Sequence, residues 1–252
     1  MCIYLFGGLM WKRPESVPLG RVWMRFRGKE KPGEPARMYQ IRDLEEPYKE
    51  ACLDMMQHTF INDEPTSQVL GVKDDPVSMA EIRANWEKIL QQNVSLAVFE
   101  ERDGEPANLV GFNMVIVKSK QDPEENIEFK GVAWQRLLKI FSVVEGMVDV
   151  FAHYGVDRYI TSSGMTVLPA HRGQNIGARL MEARYELCKA FNIRVAATIF
   201  TATTSQALAR KVNYEVLATL DYADMKQHGV DLTGCTTPCA LYMGIKYDID
   251  NM

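Results

Sequence analysis

The chain has 252 residues, room for one large domain with an extension rather than for two full domains. Hydrophobic residues make up 46% of it and charged residues 25%, globular usage that excludes a disordered or coiled-coil protein. A net charge of -4 lacks the excess of Lys and Arg that a phosphate-backbone footprint requires, which excludes nucleic acid as a partner.

The N-terminal MCIYLFGGLMWKRPE carries its positive charge after the apolar stretch, the reverse of a secretory signal. No run of about 18 apolar residues follows, so no segment is expected to cross a membrane. Residues 12–35 hold four prolines, three glycines and seven Lys or Arg and read as an arm (1–35) ahead of a folded body (36–252). Within the arm, VWMRFR (22–27) is able to add a strand at a sheet edge. From Arg37 the pattern is regular. RMYQIRDL alternates as a half-buried strand, and 46–60 is helical. Asp75 and Pro76 cap and open a helix with Met79, Ile82, Trp86 and Ile89 on one face. SLAVFEE and NLVGFNMVIV flank an Asp-Gly turn as two strands joined by a loop of more than two residues. Residues 131–154 place Leu137, Leu138, Phe141, Val144, Val148 and Phe151 at helical spacing, one long core-facing helix. Then follow the strand DRYITSSGMTVLP, the turn HRGQNIGARL, and a helix with Ile176, Leu180, Ala183, Leu187 and Phe191 on one side. IRVAATIF, SQALARKV, YEVLATLDY and ALYMGIKYD read as strand, helix, strand and strand. This order predicts an α/β (α+β) fold with a mixed central sheet flanked by helices.

Cys2, Cys52, Cys188, Cys235 and Cys239 are an odd, scattered set that suits a reducing compartment, the cytoplasm, better than a disulfide framework. Cys235 and Cys239 lack a downstream Cys or His pair, so no metal is implied. His171 reads as a surface imidazole beside the turn, and His58 as a partly buried core histidine.

The turn at 171–180 is the chemical signal. A strand, a glycine-bearing turn and a helix start make an anion site, because the first helical N–H groups lack internal partners and the dipole turns its positive end outward. Gly173 and Gly177 let backbone approach a ligand or take positive φ, and Arg172 adds a permanent charge; a tight strand-to-helix connection would use the same glycines. No GxxxxGK[ST] string occurs, and GxGxxG fails at Asn175, so neither a nucleoside triphosphate nor a dinucleotide is supported.

Arg172-Gly173-Gln174-Asn175-Ile176-Gly177 resembles the acetyl-coenzyme A loop of the GCN5-related N-acetyltransferases (GNAT), [RQ]xxGx[GA], except at Asn175, where that family prefers Gly. FINDEP (60–65) and FTATTSQALARKVNYE (200–215) resemble stretches of the insect arylalkylamine N-acetyltransferases, and the likeness spans about residues 36–248. The resemblance implies a GNAT fold, and acetyl-CoA as co-substrate, with its pyrophosphate on the amides of Arg172, Gly173, Gln174, Asn175, Ile176, Gly177 and Ala178. It also implies that the strand backbone of Met165, Thr166 and Val167 pairs with the pantetheine arm. It assigns Glu64 as general base, a residue that on its type alone reads as a solvated surface glutamate or as a helix-N-terminal acid before Pro65. It places Thr201 and Ser205 near the leaving thiol; Ser205 also suits the start of a helix, where Thr203 or Thr204 serves as N-cap. Ala209 stands where many of the superfamily carry a tyrosine acid. The expected function is acetyl transfer to the primary amine of a small arylalkylamine such as dopamine, serotonin or tryptamine, by a monomer, without metal. The alternatives are the same fold acting on agmatine or a polyamine or with a longer acyl chain, and a catalytically inactive acyl-CoA-binding protein.

Overall fold

The computed structural model describes residues 11–30, 33, 35–123 and 127–249; the expectation for the apolar N-terminal stretch falls mostly outside them. β1 (Val22–Arg27) pairs antiparallel with β2 (Met38–Asp43), so the edge-strand reading of VWMRFR is realised and position 35 is no boundary in the fold. Trp11 and Val17 are buried as well. The tie is Asp43, whose carboxylate accepts from both Arg13 Nη atoms, from the Gly20 and Arg21 amides and from Trp23 Nε1.

After β2 the chain runs through α1 (Lys49–Met55), one π-helical turn (Met56–Phe60) and α2 (Ile61–Asp63), breaks at Glu64, and resumes in α3 (Pro65–Val69). The break has a local cause. The proline ring at 65 pushes the preceding residue out of helical geometry, and Glu64 sits at φ -77°, ψ 119°. α4 (Pro76–Leu90) is capped by Asp75 as expected. β3 (Leu96–Arg102) and β4 (Glu105–Ser119) form the predicted hairpin. Its loop differs from expectation: β4 starts at Glu105, leaving Asp103 and Gly104, both at positive φ, as a two-residue turn that matches strand twist. The helix expected over 131–154 is two, α5 (Val132–Glu145) and α6 (Val150–Tyr154). Gly146 ends the first, and the Asp149 carboxylate accepts the Ala152 amide to cap the second. β5 (Arg158–Val167), α7 (Ile176–Phe191), β6 (Val195–Phe200), α8 (Thr203–Lys211), β7 (Glu215–Asp221) and β8 (Cys239–Lys246) complete the chain.

The eight strands form one sheet in the order β1-β2-β3-β4-β5-β6-β8-β7. Neighbours are antiparallel except β5 and β6. Both faces are covered, so β4 reads as a continuous buried run from Val110: Met114 and Ile116 pack toward α4 and α5, Val115 and Val117 toward α7. The expected apolar face of α7 (Ile176, Leu180, Ala183, Leu187, Phe191) is buried against that second layer.

The sheet is interrupted where it matters. β5 and β6 meet in parallel at the single pair Ile160 and Ala196, after which β5 follows β4 to Val167 while β6 follows β8. The strands fork, and from Thr161 the backbone of β5 has no strand on that side among the described residues. A bulge between Met114 and Val115 of β4, opposite Gly164 and Ser162, leaves Ser163 unpaired and re-aims the strand beside the fork.

Candidate active site

The mouth of the fork is the loop between β5 and α7. Gly173 takes φ +80° and Asn175 φ +70°, a left-handed conformation that glycine adopts freely and that asparagine tolerates better than most residues. Asn175 therefore does the conformational work of the glycine it replaces, and its Oδ1 accepts from Lys211 Nζ of α8 at 2.9 Å. None of the amides from Gly173 to Ala178 finds an acceptor among the described residues; the first donor satisfied in the helix is Arg179, on Asn175 O. Six successive N–H groups at the positive end of a 16-residue helix make a concentrated anion cradle.

Side chains around the cradle act differently from what residue type alone suggests. The Arg172 guanidinium turns back from the loop: Nε donates to Val167 O at 3.0 Å, and Nη2 pairs with Asp63. That half-exposed pair adds little stability, but it joins the FINDEP stretch to the loop. Gln174 is buried beneath the loop against Gly28 and Tyr39, leaving only its main chain for a ligand. Gly177 faces protein: a Cβ there would come within 2.9 Å of Leu208 on α8, so its bareness serves helix packing.

Glu64 is 7% exposed and held by its own helix start. Oε1 accepts the Thr66 amide at 3.1 Å; Oε2 accepts Thr66 Oγ1 at 2.7 Å and the Ser67 amide at 2.6 Å. A carboxylate offers about four lone-pair positions, so Oε1 keeps one to give. The charge of Glu64 bears on Tyr222, in the turn after β7. Burial first, and then the Glu64 charge and two neighbouring cysteines, raise that hydroxyl above its ordinary range. Tyr222 stays protonated and donates to Thr201 O at 3.0 Å. Tyr222 thereby ties the Thr201 main chain to a hydroxyl on which the Glu64 charge acts. Ser205 lies in the first turn of α8, its hydroxyl donating to Ala202 O at 2.8 Å, whereas the Thr201 hydroxyl has no partner among the described residues. The N-cap position is Ala202, not a threonine, and the cap comes from afar: Thr237 Oγ1 accepts the Thr203 amide.

Of the residues singled out from sequence, Met165–Val167 line the unpaired edge of β5 and Arg172–Ala178 form the loop at its end. Ala209 is buried in the core and offers no acid. His58 is exposed, with Nδ1 on Asp54 O, and His171 is buried against Tyr39; both differ from expectation. Sequence reasoning missed Tyr222, Asn113 and Arg184. The last two carried a signal, as lone polar residues in otherwise apolar stretches. Among the described residues, no group of three His, Cys, Asp or Glu is placed to hold a metal, and no helix is long and apolar enough to cross a membrane.

No protein-family model matches the chain, and no curated protein matches its sequence. Solved structures do. A chain named for arylalkylamine N-acetyltransferase 7 of the yellow fever mosquito Aedes aegypti superposes with a TM-score of 0.87 at 29% identity, over 94% of this chain and 100% of that one. Arylalkylamine N-acetyltransferase 2 of Aedes aegypti gives 0.73 at 16% identity, over 83% and 99%. The Drosophila melanogaster polyamine N-acetyltransferase, described as forming N-acetylagmatine, gives 0.69 at 19% identity, over 82% and 99%. The chain has the GNAT fold, a mixed eight-stranded sheet flanked by helices. Its structural neighbours are insect arylalkylamine N-acetyltransferases and other N-acetyltransferases of the GNAT superfamily.

Proposed function

We propose that the protein is an acetyl-CoA-dependent N-acetyltransferase acting on the primary amine of a small arylalkylamine, as a cytoplasmic monomer. The reading rests above all on the row of unsatisfied amides from Gly173 to Ala178 at the end of the unpaired β5 edge. It is supported by the resemblance to the mosquito chain at 29% identity and, for a reducing compartment, by four cysteines that stand free.

In this reading the loop amides hold the pyrophosphate, and the edge Met165–Val167 aligns the pantetheine arm as an added strand. When bound, acetyl-CoA supplies the activated acyl carbon. An alkylamine titrates near the lysine value of about 10, so it arrives protonated, and the free lone pair on Glu64 Oε1 accepts that proton directly or through one water. A main-chain N–H of the β5 edge donates to the oxygen on which charge develops as the amine attacks. The Thr201 hydroxyl is free to donate to the departing sulfur, while Ser205 must first give up its bond to Ala202 O.

Thiol release from acetyl-CoA, measured across a panel of aryl-alkyl, guanidino and polyamine acceptors, tests the proposal. Turnover is expected with the aryl-alkyl amines; turnover confined to agmatine or polyamines would replace the acceptor class, and thiol release with no amine in the panel would defeat the enzyme reading.

A further inference from the structure

α7 carries one charged residue among its most deeply buried positions. Arg184 is 1% exposed, and its guanidinium spans the base of the fork. Nη1 donates to Thr198 Oγ1 on β6 at 3.1 Å; Nε and Nη2 donate to Asn113 Oδ1 on β4 at 3.2 and 3.1 Å. No carboxylate among the described residues pairs with it. A cation buried this far without a counter-charge is costly, and an apolar side chain of similar volume would pack there without that cost.

What the charge achieves is visible one bond further on. A guanidinium is donor-only, so the Asn113 amide must present its oxygen to Arg184 and its nitrogen to the other side. There Nδ2 donates to Ser162 Oγ at 2.6 Å and to the Gly164 carbonyl at 2.9 Å, and Ser162 Oγ accepts the Gly164 amide at 3.3 Å. Both main-chain groups of Gly164 are thus held from the α7 side, across the bulge at Ser163. A flipped Asn113 would set oxygen against oxygen at Gly164.

We propose that Arg184 is a positioning residue: by orienting the Asn113 amide it locks Gly164 and so sets the direction of the free edge Met165–Val167. Its bearing on catalysis rests on the acetyltransferase reading above; its bearing on the strand does not.

Asn113→Asp separates positioning from stability. The new carboxylate gives Arg184 its missing partner, yet it replaces the donor to Gly164 with an acceptor. The variant is expected to melt no lower than the wild type, to exchange the Gly164 amide hydrogen about tenfold faster, and to lose about 10- to 100-fold in kcat/KM for acetyl-CoA with KM for the amine unchanged. Arg184→Met, if it folds, should behave likewise, and Arg184→Lys, which keeps a donor-only group facing Oδ1, should recover part of the loss. Gly164 exchange at the wild-type rate in Asn113→Asp overturns the proposal whatever the activity. A wild type that releases no thiol from acetyl-CoA removes the function and leaves the exchange rates to decide on Arg184. A wild type that turns over, with kcat/KM unchanged in Asn113→Asp, removes the positioning role alone.

Discussion

At position 175 backbone conformation explains a departure from family pattern. With φ at +70°, Asn175→Gly should bind acetyl-CoA as the parent does, losing only the Lys211 contact. Asn175→Val should cost about 1–2 kcal/mol of stability, because a β-branched residue in the left-handed region meets its own carbonyl; equal denaturation midpoints for the two variants would contradict this. Glu64 takes up the helix-start reading that its residue type offers. It is the N-cap of α3, and its side chain is buried. Glu64→Gln should lower kcat by about 100-fold or more with acetyl-CoA affinity unchanged, and lower stability by about 1 kcal/mol through the weakened cap. Unchanged turnover would take the proton from Glu64. The Glu-Pro pair was enough to read a helix start after Glu64, though not that the helix expected over 46–60 runs on to Asp63. The Tyr222 hydroxyl was not readable, because its place depends on a turn more than 150 residues away.

Among the elements, helix starts divide into those written locally and those supplied by a neighbour. Asp75 belongs to the first kind: its carboxylate accepts the Val77 and Ser78 amides and Ser78 Oγ, as an Asp before a Pro predicts. It also reaches the second kind, since Oδ2 accepts the Ala133 amide of α5 while Ser78 Oγ accepts that of Trp134. α5 has no side-chain cap of its own, so α4 provides it. The Ser78 hydroxyl first, then these amides, hold the Asp75 carboxyl down at about 2, below its ordinary 3.8. A depressed carboxyl stabilises the fold above its unfolded value and loses that contribution as pH falls through the folded one. The melting temperature of the wild type should therefore fall between pH 4 and pH 2 more steeply than that of Asp75→Ala; parallel curves would show that the cap does not titrate as described. The split of α5 from α6 was legible in Gly146 and Asp149 but was masked by apolar spacing that runs through both. The Thr237 cap on α8 left no local trace.

For the whole molecule, the order of strands and helices came through in sequence because buried β-runs and amphipathic helices alternate cleanly from Arg37 onward. Composition misdirected at the N-terminal side: prolines and cations in residues 12–35 suggest a tail, whereas Arg13 donates to Val17 O, Pro18 O, Asn93 O and Asp43, binding that segment to the sheet. The Arg13 and Asp43 side chains are both deeply buried, and removing one partner strands the other charge. Asp43→Asn should lower the unfolding free energy by about 3 kcal/mol, measured by denaturant titration; a loss below about 1 kcal/mol would mean that the segment is held by its apolar contacts instead. The fork between β5 and β6 was beyond sequence reasoning. Its cause is the partner each strand follows after Ile160 and Ala196, a property of the sheet and not of either strand.

The central claim is that the amides of residues 173–178 grip a diphosphate. Backbone amide resonances followed during titration with acetyl-CoA test it most directly. Saturable shifts centred on Gly173 to Ala178, with companions at Met165 to Val167, and their absence from the loop when the ligand is S-acetylpantetheine, are the predicted result. Loop resonances that stay put at saturating acetyl-CoA, or that respond equally to both ligands, would contradict it.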